Sequence, residues 1–404
     1  MPPPVQHWYS DRESLRRVVS DVLQGESLRL RGTTPVLPSP WPDDLGLGYF
    51  SEAERQAGIA GLSLLFGLPL QQAFAGARLF GDWLARLQEA FMAAGGAGDL
   101  TFRSSGSTGA PKAIRHSWAR FTEELDFQAG LHAPAGTTIR RIVGLVPSHH
   151  IYGFMFVLLL PLRYGAQFAD LRGLRPAAVA ERLRPGDLVV GYPQIWQALS
   201  ETRRTIPHDI RGITSTAPCP PETARAVQAA GVARLVELYG SSETAGIGWR
   251  DTPDAGFTLF PYWRFAGGTT MLRHRSRDQI VALPDHLQVV DQQGRFVVVG
   301  RRDGAIQIGG INVHPEHVAA ILRRHPQIAA ARVRPYRVGR TLRLKAFVVP
   351  KDPAAEIASL RPIVEDWLRR QLPPIERPRH LTFGITLPEG AMGKPADWEI
   401  AKPG

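Results

Sequence analysis

A chain of 404 residues is longer than one hydrophobic core ordinarily serves, so two or more domains are expected. Its 44% hydrophobic and 21% charged residues supply ample apolar mass for a globular core. The formal net charge of +11 points to anionic partners, and a lone cysteine, Cys219, excludes an internal disulfide framework or a cysteine-rich metal site.

The first residues lack a basic stretch followed by an apolar run, so no secretory signal is expected, and a reducing, cytoplasmic setting suits the single cysteine. Ser10 with Glu13, and Ser51 with Glu54, stand three apart ahead of helical patterns and read as capping boxes. Residues 1–98 are therefore expected to be mostly helical, with a Pro-rich loop over 34–42. From Asp99 short apolar runs at 141–146, 167–170, 187–191, 213–216 and 234–238 read as buried strands. Helical segments at 176–183, 194–202 and 221–230 lie between them, and this alternation predicts a parallel sheet covered by helices. The most apolar stretch, 151–162, is too short and too punctuated by Gly153 and Pro161 to span a bilayer.

Beyond residue 250 the pattern turns strand-rich, with a hairpin signal at Asp291-Gln-Gln-Gly294. The last hundred residues read as a separate α+β unit: a helix over 315–325, strands at 330–336 and 342–349, and a helix over 359–371. The expected domains are thus 1–302 and 303–404. Residues 301–404 hold 18 Lys or Arg against 10 Asp or Glu, a field suited to an anionic cofactor or an acidic protein, or simply a solvated basic surface. No aromatic-interleaved basic stretch or zinc-finger spacing is present, so a nucleic-acid partner is not expected.

The most informative segment is Phe102-Arg-Ser-Ser-Gly-Ser-Thr-Gly-Ala-Pro-Lys112, a donor-rich loop whose amides, hydroxyls and Lys112 charge suit a polyphosphate. It lacks the Walker spacing. The segment resembles the phosphate loop of the adenylate-forming superfamily, which includes acyl- and aryl-CoA synthetases, adenylation domains and luciferases. Four further resemblances follow in that family's order: Val146-Pro-Ser-His-His-Ile-Tyr-Gly153, Tyr239-Gly-Ser-Ser-Glu-Thr244, Gly300-Arg-Arg-Asp-Gly-Ala-Ile-Gln-Ile-Gly-Gly310, and Gly393-Lys394.

The resemblance implies a trimmed adenylate-forming fold, a large α/β domain with a small mobile α+β lid. It also implies attack of a carboxylate on the α-phosphate of ATP with loss of pyrophosphate. Charge must then be neutralised on every side. On this basis Ser104, Ser105, Gly106, Ser107, Thr108, Gly109 and Lys112 hold the departing phosphates, and Tyr239, Gly240 and Ser241 belong to the nucleotide motif. Ser242 meets the α-phosphate, Glu243 ligates Mg²⁺, Asp285 with Arg301 holds the ribose, and Lys394 bridges the α-phosphate and the acid. His150 lines the carboxylate pocket. Taken singly, His149 and His150 also read as structural histidines, Glu243 as a charge opening a helix, Asp285 as a turn residue and Lys394 as a solvated lysine.

The chain departs from the family in its shortened region before the phosphate loop and its compressed stretch between Glu243 and Asp285. Gln307 stands where lysine is frequent, and Lys394 lacks the usual following arginine. Pocket walls are expected from His150, Tyr152, Tyr192, Ser215, Leu238, Gly246 and Ile247, with Ala217 and Pro218 also near the adenine. Leu238 stands where small residues are common, which predicts a compact acid such as a hydroxybenzoate. The run Leu-Leu-Leu-Pro-Leu-Arg-Tyr-Gly165 is similar to 4-coumarate–CoA ligases. The acceptor thiol is expected to be CoA or the phosphopantetheine of an acidic acyl carrier protein, the latter favoured by the basic lid. The alternatives are a fatty acyl-CoA ligase, an enzyme with a non-thiol acceptor and a non-catalytic nucleotide-binding homologue.

Overall fold

Asp11 caps the first helix, Arg12–Arg31, its carboxylate accepting the Ser14 amide at 2.9 Å. The box expected from Ser10 and Glu13 does not form, because Ser10 turns back and donates its hydroxyl to the His7 carbonyl. A carboxylate is the stronger acceptor for a helix-end amide, and Asp11 stands one residue nearer. Ser51 and Glu54 do form the reciprocal box before Glu52–Phe66. This computed structural model describes residues 5–32, 37, 39–104, 112–202, 204–251, 256–309, 311–339, 341–388 and 396–400.

By its internal contacts the chain divides into two units, Met1–Ser104 with Ala113–Ala282 and Val289–Val297, and Ser105–Lys112 with Leu283–Gln288 and Val298–Gly404. In the first, the helices Arg12–Arg31, Glu52–Phe66 and Phe80–Ala93 meet around buried aromatic rings. Trp8 lies 5.4 Å from Phe66, 5.3 Å from Phe91 and 5.4 Å from Phe154, centroid to centroid. Burying such a side chain is worth roughly 1.5–3 kcal/mol, which ties these helices to the apolar run at Phe154. That run is helical from Ile151 to Tyr164, with Phe154 through Pro161 buried. Gly153 permits the entry into it, since a Cβ there would fall 1.8 Å from the Pro147 carbonyl oxygen. No helix among the described residues is long and apolar enough to cross a membrane.

The central sheet has seven strands in the order Gln167–Asp170, Arg141–Gly144, Leu188–Gly191, Ile210–Thr214, Val232–Ser241, Ala245–Arg250 and Thr258–Leu259. The first five are parallel and the last two antiparallel. The helices Pro176–Arg182, Pro193–Glu201 and Pro221–Ala229 each begin with proline, whose fixed φ suits the first helical turn. Their apolar faces bury Val179, Trp196, Leu199 and Val227 against Val143, Val189, Ile210 and Leu235 of the sheet. Trp196 fits because Gly212 carries no Cβ; one there would lie 2.7 Å from its ring.

The hairpin expected at Asp291 joins Asp285–Val289 to Phe296–Arg301. Gly294 takes φ 77° there, and Asp291 accepts the Gly294 and Arg295 amides. In the second unit Ile328–Val338 pairs antiparallel with Thr341–Pro350, which pairs parallel with His380–Phe383. The helices Pro315–Arg323 and Ile357–Gln371 bury Val318, Leu322, Val364 and Leu368 with Leu344, Ala346 and Val348. The fold is therefore a mixed α/β domain with a parallel sheet and a smaller α+β domain.

Candidate active site

Parallel strands end their carboxyl termini at one edge, where open α/β sheets bind ligands. Gly191 pairs with Thr214 and Thr214 with Glu237, so Tyr192, Ser215 and Leu238 emerge side by side at that edge. Ser215 donates its hydroxyl to the Leu238 carbonyl at 3.0 Å, and Tyr152 donates to the Gly191 carbonyl at 2.9 Å. Four expected pocket residues, Tyr152, Tyr192, Ser215 and Leu238, are thereby brought together. Ala217 is partly buried and Pro218 exposed on the loop that follows. Behind it, the Cys219 amide bonds to Glu237, which Arg250 pairs at 2.8 Å.

His149 and His150 lie with ring centroids 4.0 Å apart. The loop before them is held by Asp21, whose carboxylate accepts the Ser148 amide at 2.6 Å and the Ser148 hydroxyl at 2.7 Å. Arg172 pairs the other Asp21 oxygen at 2.6 Å. Burial carries the His149 pKa well below its ordinary value, with His150 and Arg172 adding to the effect. His150 is also lowered, chiefly by desolvation and against the field of Asp21. Both rings are thus held towards their neutral form, with the His150 side chain the more exposed of the two.

Tyr239, Gly240 and Ser241 finish one strand, and Ala245 begins the next, antiparallel to it. Glu243 therefore sits in a tight turn between strands rather than at the start of a helix. The turn is closed by its own side chains: the Ser241 hydroxyl accepts the Thr244 amide at 3.2 Å, and the Thr244 hydroxyl accepts the Ser241 amide at 3.1 Å. Ala245 takes φ 53°, which ends any helical continuation. Ser242 and Glu243 are left partly exposed at the tip. Ile247 is fully buried, and its side chain alternates to the face opposite that of Gly246.

Three residues that motif reasoning did not single out hold this turn. The His116 ring donates through Nε2 to the Ser242 carbonyl at 2.7 Å, Arg120 donates to the Thr244 carbonyl, and both Glu124 oxygens lie 3.1 Å from the Gly246 amide nitrogen. Burial lowers the His116 pKa to about 4 and raises that of Glu124 to about 7, the latter opposed by Arg120 and the Gly246 amide. Arg120 and Glu124 were a readable signal, two charged residues four apart where a buried helix face should be apolar; His116, at the end of the preceding strand, had none. In the second unit Asp285 is buried and lies 3.6 Å from Arg301, which also pairs Asp303 at 2.7 Å. The two residues expected to share a ribose are therefore adjacent.

Residues 102–316 match the family described as AMP-binding enzyme, and residues 317–394 match the AMP-binding enzyme C-terminal domain. This chain belongs to the AMP-binding enzyme family. Its sequence is 36% identical over 321 residues to the 4-coumarate–CoA ligase of Cereibacter sphaeroides, covering 80% of this chain and 76% of that one. It is 35% identical over 409 residues to the 4-coumarate–CoA ligase of Rhodobacter capsulatus, covering 95% and 100%. Among solved structures, an amide bond synthetase from Marinactinospora thermotolerans shares the fold with TM-score 0.60 at 22% identity, over 74% of this chain and 68% of that one. The chain stands among the adenylate-forming acyl- and aryl-CoA ligases.

Within this AMP-binding enzyme, Ser104 closes the strand Leu100–Ser104 and Lys112 opens Lys112–His116, exposed. Ser105, Gly106, Ser107, Thr108, Gly109 and Lys394 lie outside the described residues. Gln307 is paired with Asn312 across a short hairpin. The last segment of the second compact unit begins at Val298, and the C-terminal family match begins at 317. Among the described residues no three His, Cys, Asp or Glu side chains converge as a metal cage. A magnesium ion suits Glu243 nonetheless, because Mg²⁺ is commonly held by one or two carboxylates together with substrate phosphates and waters.

Proposed function

We propose that this protein is an ATP-dependent acid–thiol ligase that activates a compact aryl carboxylic acid and passes it to CoA. The observation that carries this reading is the 35% identity to a 4-coumarate–CoA ligase over 95% of this chain and all of that one. Leu238, 8% exposed and fixed by Ser215, supports a short pocket, and Tyr152 and Tyr192 supply aromatic walls beside it. His150, neutral and accessible, is suited to orient the acid's carboxylate without a competing charge.

In this reading a carboxylate oxygen attacks the α-phosphorus of ATP, the bond to the β-phosphate breaks, and pyrophosphate leaves. The acceptor's sulfur then attacks the acyl carbon, and AMP leaves with the electron pair of the broken C–O bond. Ser104, Ser105, Gly106, Ser107, Thr108, Gly109 and Lys112 hold the departing phosphates, and Ser242 meets the α-phosphate. Glu243 holds Mg²⁺, which when bound offsets the negative charge of the phosphates. Asp285 and Arg301 hold the ribose, Ala217 and Pro218 flank the adenine, and Lys394 bridges acid and phosphate. Residues 303–404 act as the lid, in the cytoplasm.

Carboxylate-dependent ATP–pyrophosphate exchange over benzoates, cinnamates, amino acids and fatty acids tests the first half. Fastest exchange with a long-chain fatty acid would overturn the pocket argument. A second acceptor reading, an acidic carrier protein, is favoured by the basic excess of residues 301–404. Transfer to CoA alone removes it; a steep loss of rate with salt for a protein acceptor only would establish it. Lys394→Ala should suppress exchange at least 100-fold and leave folding and ATP binding largely intact.

A further inference from the structure

The turn that carries Ser242 and Glu243 is answered, group by group, by side chains approaching from one direction. Ser242 offers a carbonyl and meets the His116 N–H; Thr244 offers a carbonyl and meets the Arg120 guanidinium; Gly246 offers an N–H and meets the Glu124 carboxylate. Arg120 and Glu124 stand one turn apart, about 6 Å, on the helix Trp118–His132, and His116 stands just before it. Donors and acceptors therefore match at three alternate residues of the turn. All three side chains are buried. A carbonyl can only accept, so His116 must carry its proton on Nε2; its Nδ1 is buried with no partner among the described residues.

Such a row is costly as mere packing. Burying a guanidinium, a carboxylate and an imidazole sacrifices hydration that an apolar helix face would not. What the row supplies, and an apolar face could not, is a fixed height and rotation for the turn's backbone. Gly246 shows how closely the parts fit: a Cβ there would lie 2.2 Å from a Glu124 oxygen and 2.5 Å from the Phe260 ring.

We propose that His116, Arg120 and Glu124 are positioning residues that preset the Ser242–Glu243 turn for the phosphate and its metal ion, an inference that rests on the roles proposed above for those two residues. The row does no chemistry itself. It removes the need to order the turn when ATP arrives, so that hydroxyl and carboxylate meet charge as it develops.

Hydrogen exchange of the peptide spanning 239–250 and Mg²⁺-dependent ATP–pyrophosphate exchange, measured on the same full-length variants, test this. His116→Phe keeps the ring's bulk and removes the donor; His116→Gln restores one. In His116→Phe the turn amides should exchange at least tenfold faster while those of Leu188–Gly191 and Ile210–Thr214 are unchanged. Its kcat should fall about tenfold with KM for the acid held, and the Mg²⁺ concentration for half-maximal rate should rise. His116→Gln should recover most of each change. Glu124→Gln, which keeps shape and one acceptor oxygen, should show the same pattern at about threefold, and serves if His116→Phe does not fold. Turn amides as protected as in the parent, or protection lost equally throughout the sheet, would overturn the proposal. Glu243→Gln is measured alongside: an unchanged Mg²⁺ dependence there sinks the metal assignment alone, because the hydrogen-exchange result decides positioning independently.

Discussion

Ser215 holds the Leu238 carbonyl at 3.0 Å, joining the carboxyl ends of two adjacent parallel strands. The bond fixes the backbone from which the Leu238 side chain projects, so in the proposed reading pocket depth would be set by a rigid element rather than by a loop. Leu238→Ala should deepen the pocket by roughly three carbons. The ratio of kcat/KM for a bulky para-substituted aryl acid over the unsubstituted acid should then rise about tenfold, in keeping with about 1–3 kcal/mol per methylene of fit. Paired exchange assays with the two acids read it directly; an unchanged ratio removes Leu238 from the pocket wall.

Gly246 allows no side chain on the helix side of its strand, with Glu124 and Phe260 both inside van der Waals distance of a Cβ. Gly246→Ala should therefore destabilise the protein by about 2–4 kcal/mol, as overpacking beside a buried charge does. The urea midpoint measures this. Adding Glu124→Ala should recover only part of the loss, because the Phe260 clash persists, and a double-mutant cycle separates the two contributions.

The sheet and its helices were legible because their signals are local. The strands at 141, 167 and 188 and the proline-started helices at 176 and 221 begin within a residue of where apolar runs and Pro place them. The first cap was misread because Ser10 and Asp11 are both capable caps, and only the carboxylate's stronger acceptance decides between them. The turn at Glu243 is equally readable from sequence as the start of a helix, because nothing local distinguishes the two. Its closure depends on the Ser241–Thr244 exchange and on anchors more than a hundred residues earlier. The adjacency of Asp285 and Arg301 came through from motif resemblance, although no periodicity announces it.

Stability should fall as pH drops from about 6.5 towards 4. Burial lowers His116 to about 4 and His132 to about 3, and it also lowers His149, His150, His314 and His325. The unfolded chain therefore binds more protons at these histidines, and stability is lost as pH falls through the window. Glu124, raised to about 7, acts oppositely from about pH 4.5 to 7; burial raises Glu237 and Glu376 as well, with the same sign. His116 and His132 together outweigh Glu124 across this window, leaving a net slope of the histidine sign at about 1.4 kcal/mol per pH unit per proton. Urea midpoints at pH 5 and 6.5 should show it, and His132→Leu should reduce the slope by about one proton. An equal slope in that variant would mean His132 titrates alike in both states.

Lys345 is buried in the strand Thr341–Pro350 and donates to the Trp398 carbonyl at 2.5 Å, with Asp397 at 2.9 Å and the Trp398 ring centroid 4.8 Å from its nitrogen. Phe347 stacks edge-on against the same tryptophan. One cation thus gathers a backbone carbonyl, a carboxylate and an aromatic face from a segment that begins two positions after Lys394 in the sequence. Lys345→Met keeps the apolar stem and removes all three polar attractions, so the segment 396–400 should lose its amide protection while the helices Pro315–Arg323 and Ile357–Gln371 keep theirs. Leaving the carbonyl unanswered costs about 1–3 kcal/mol, enough for a 5- to 150-fold change in local opening. Since Trp398→Ala removes one of the same contacts, the aromatic face, its effect should be non-additive with Lys345→Met. If Lys394 acts as proposed, pyrophosphate exchange should slow in both variants with ATP affinity little changed, because the segment they release follows Lys394 in sequence. A loss confined to ATP affinity would show that the clamp serves binding instead.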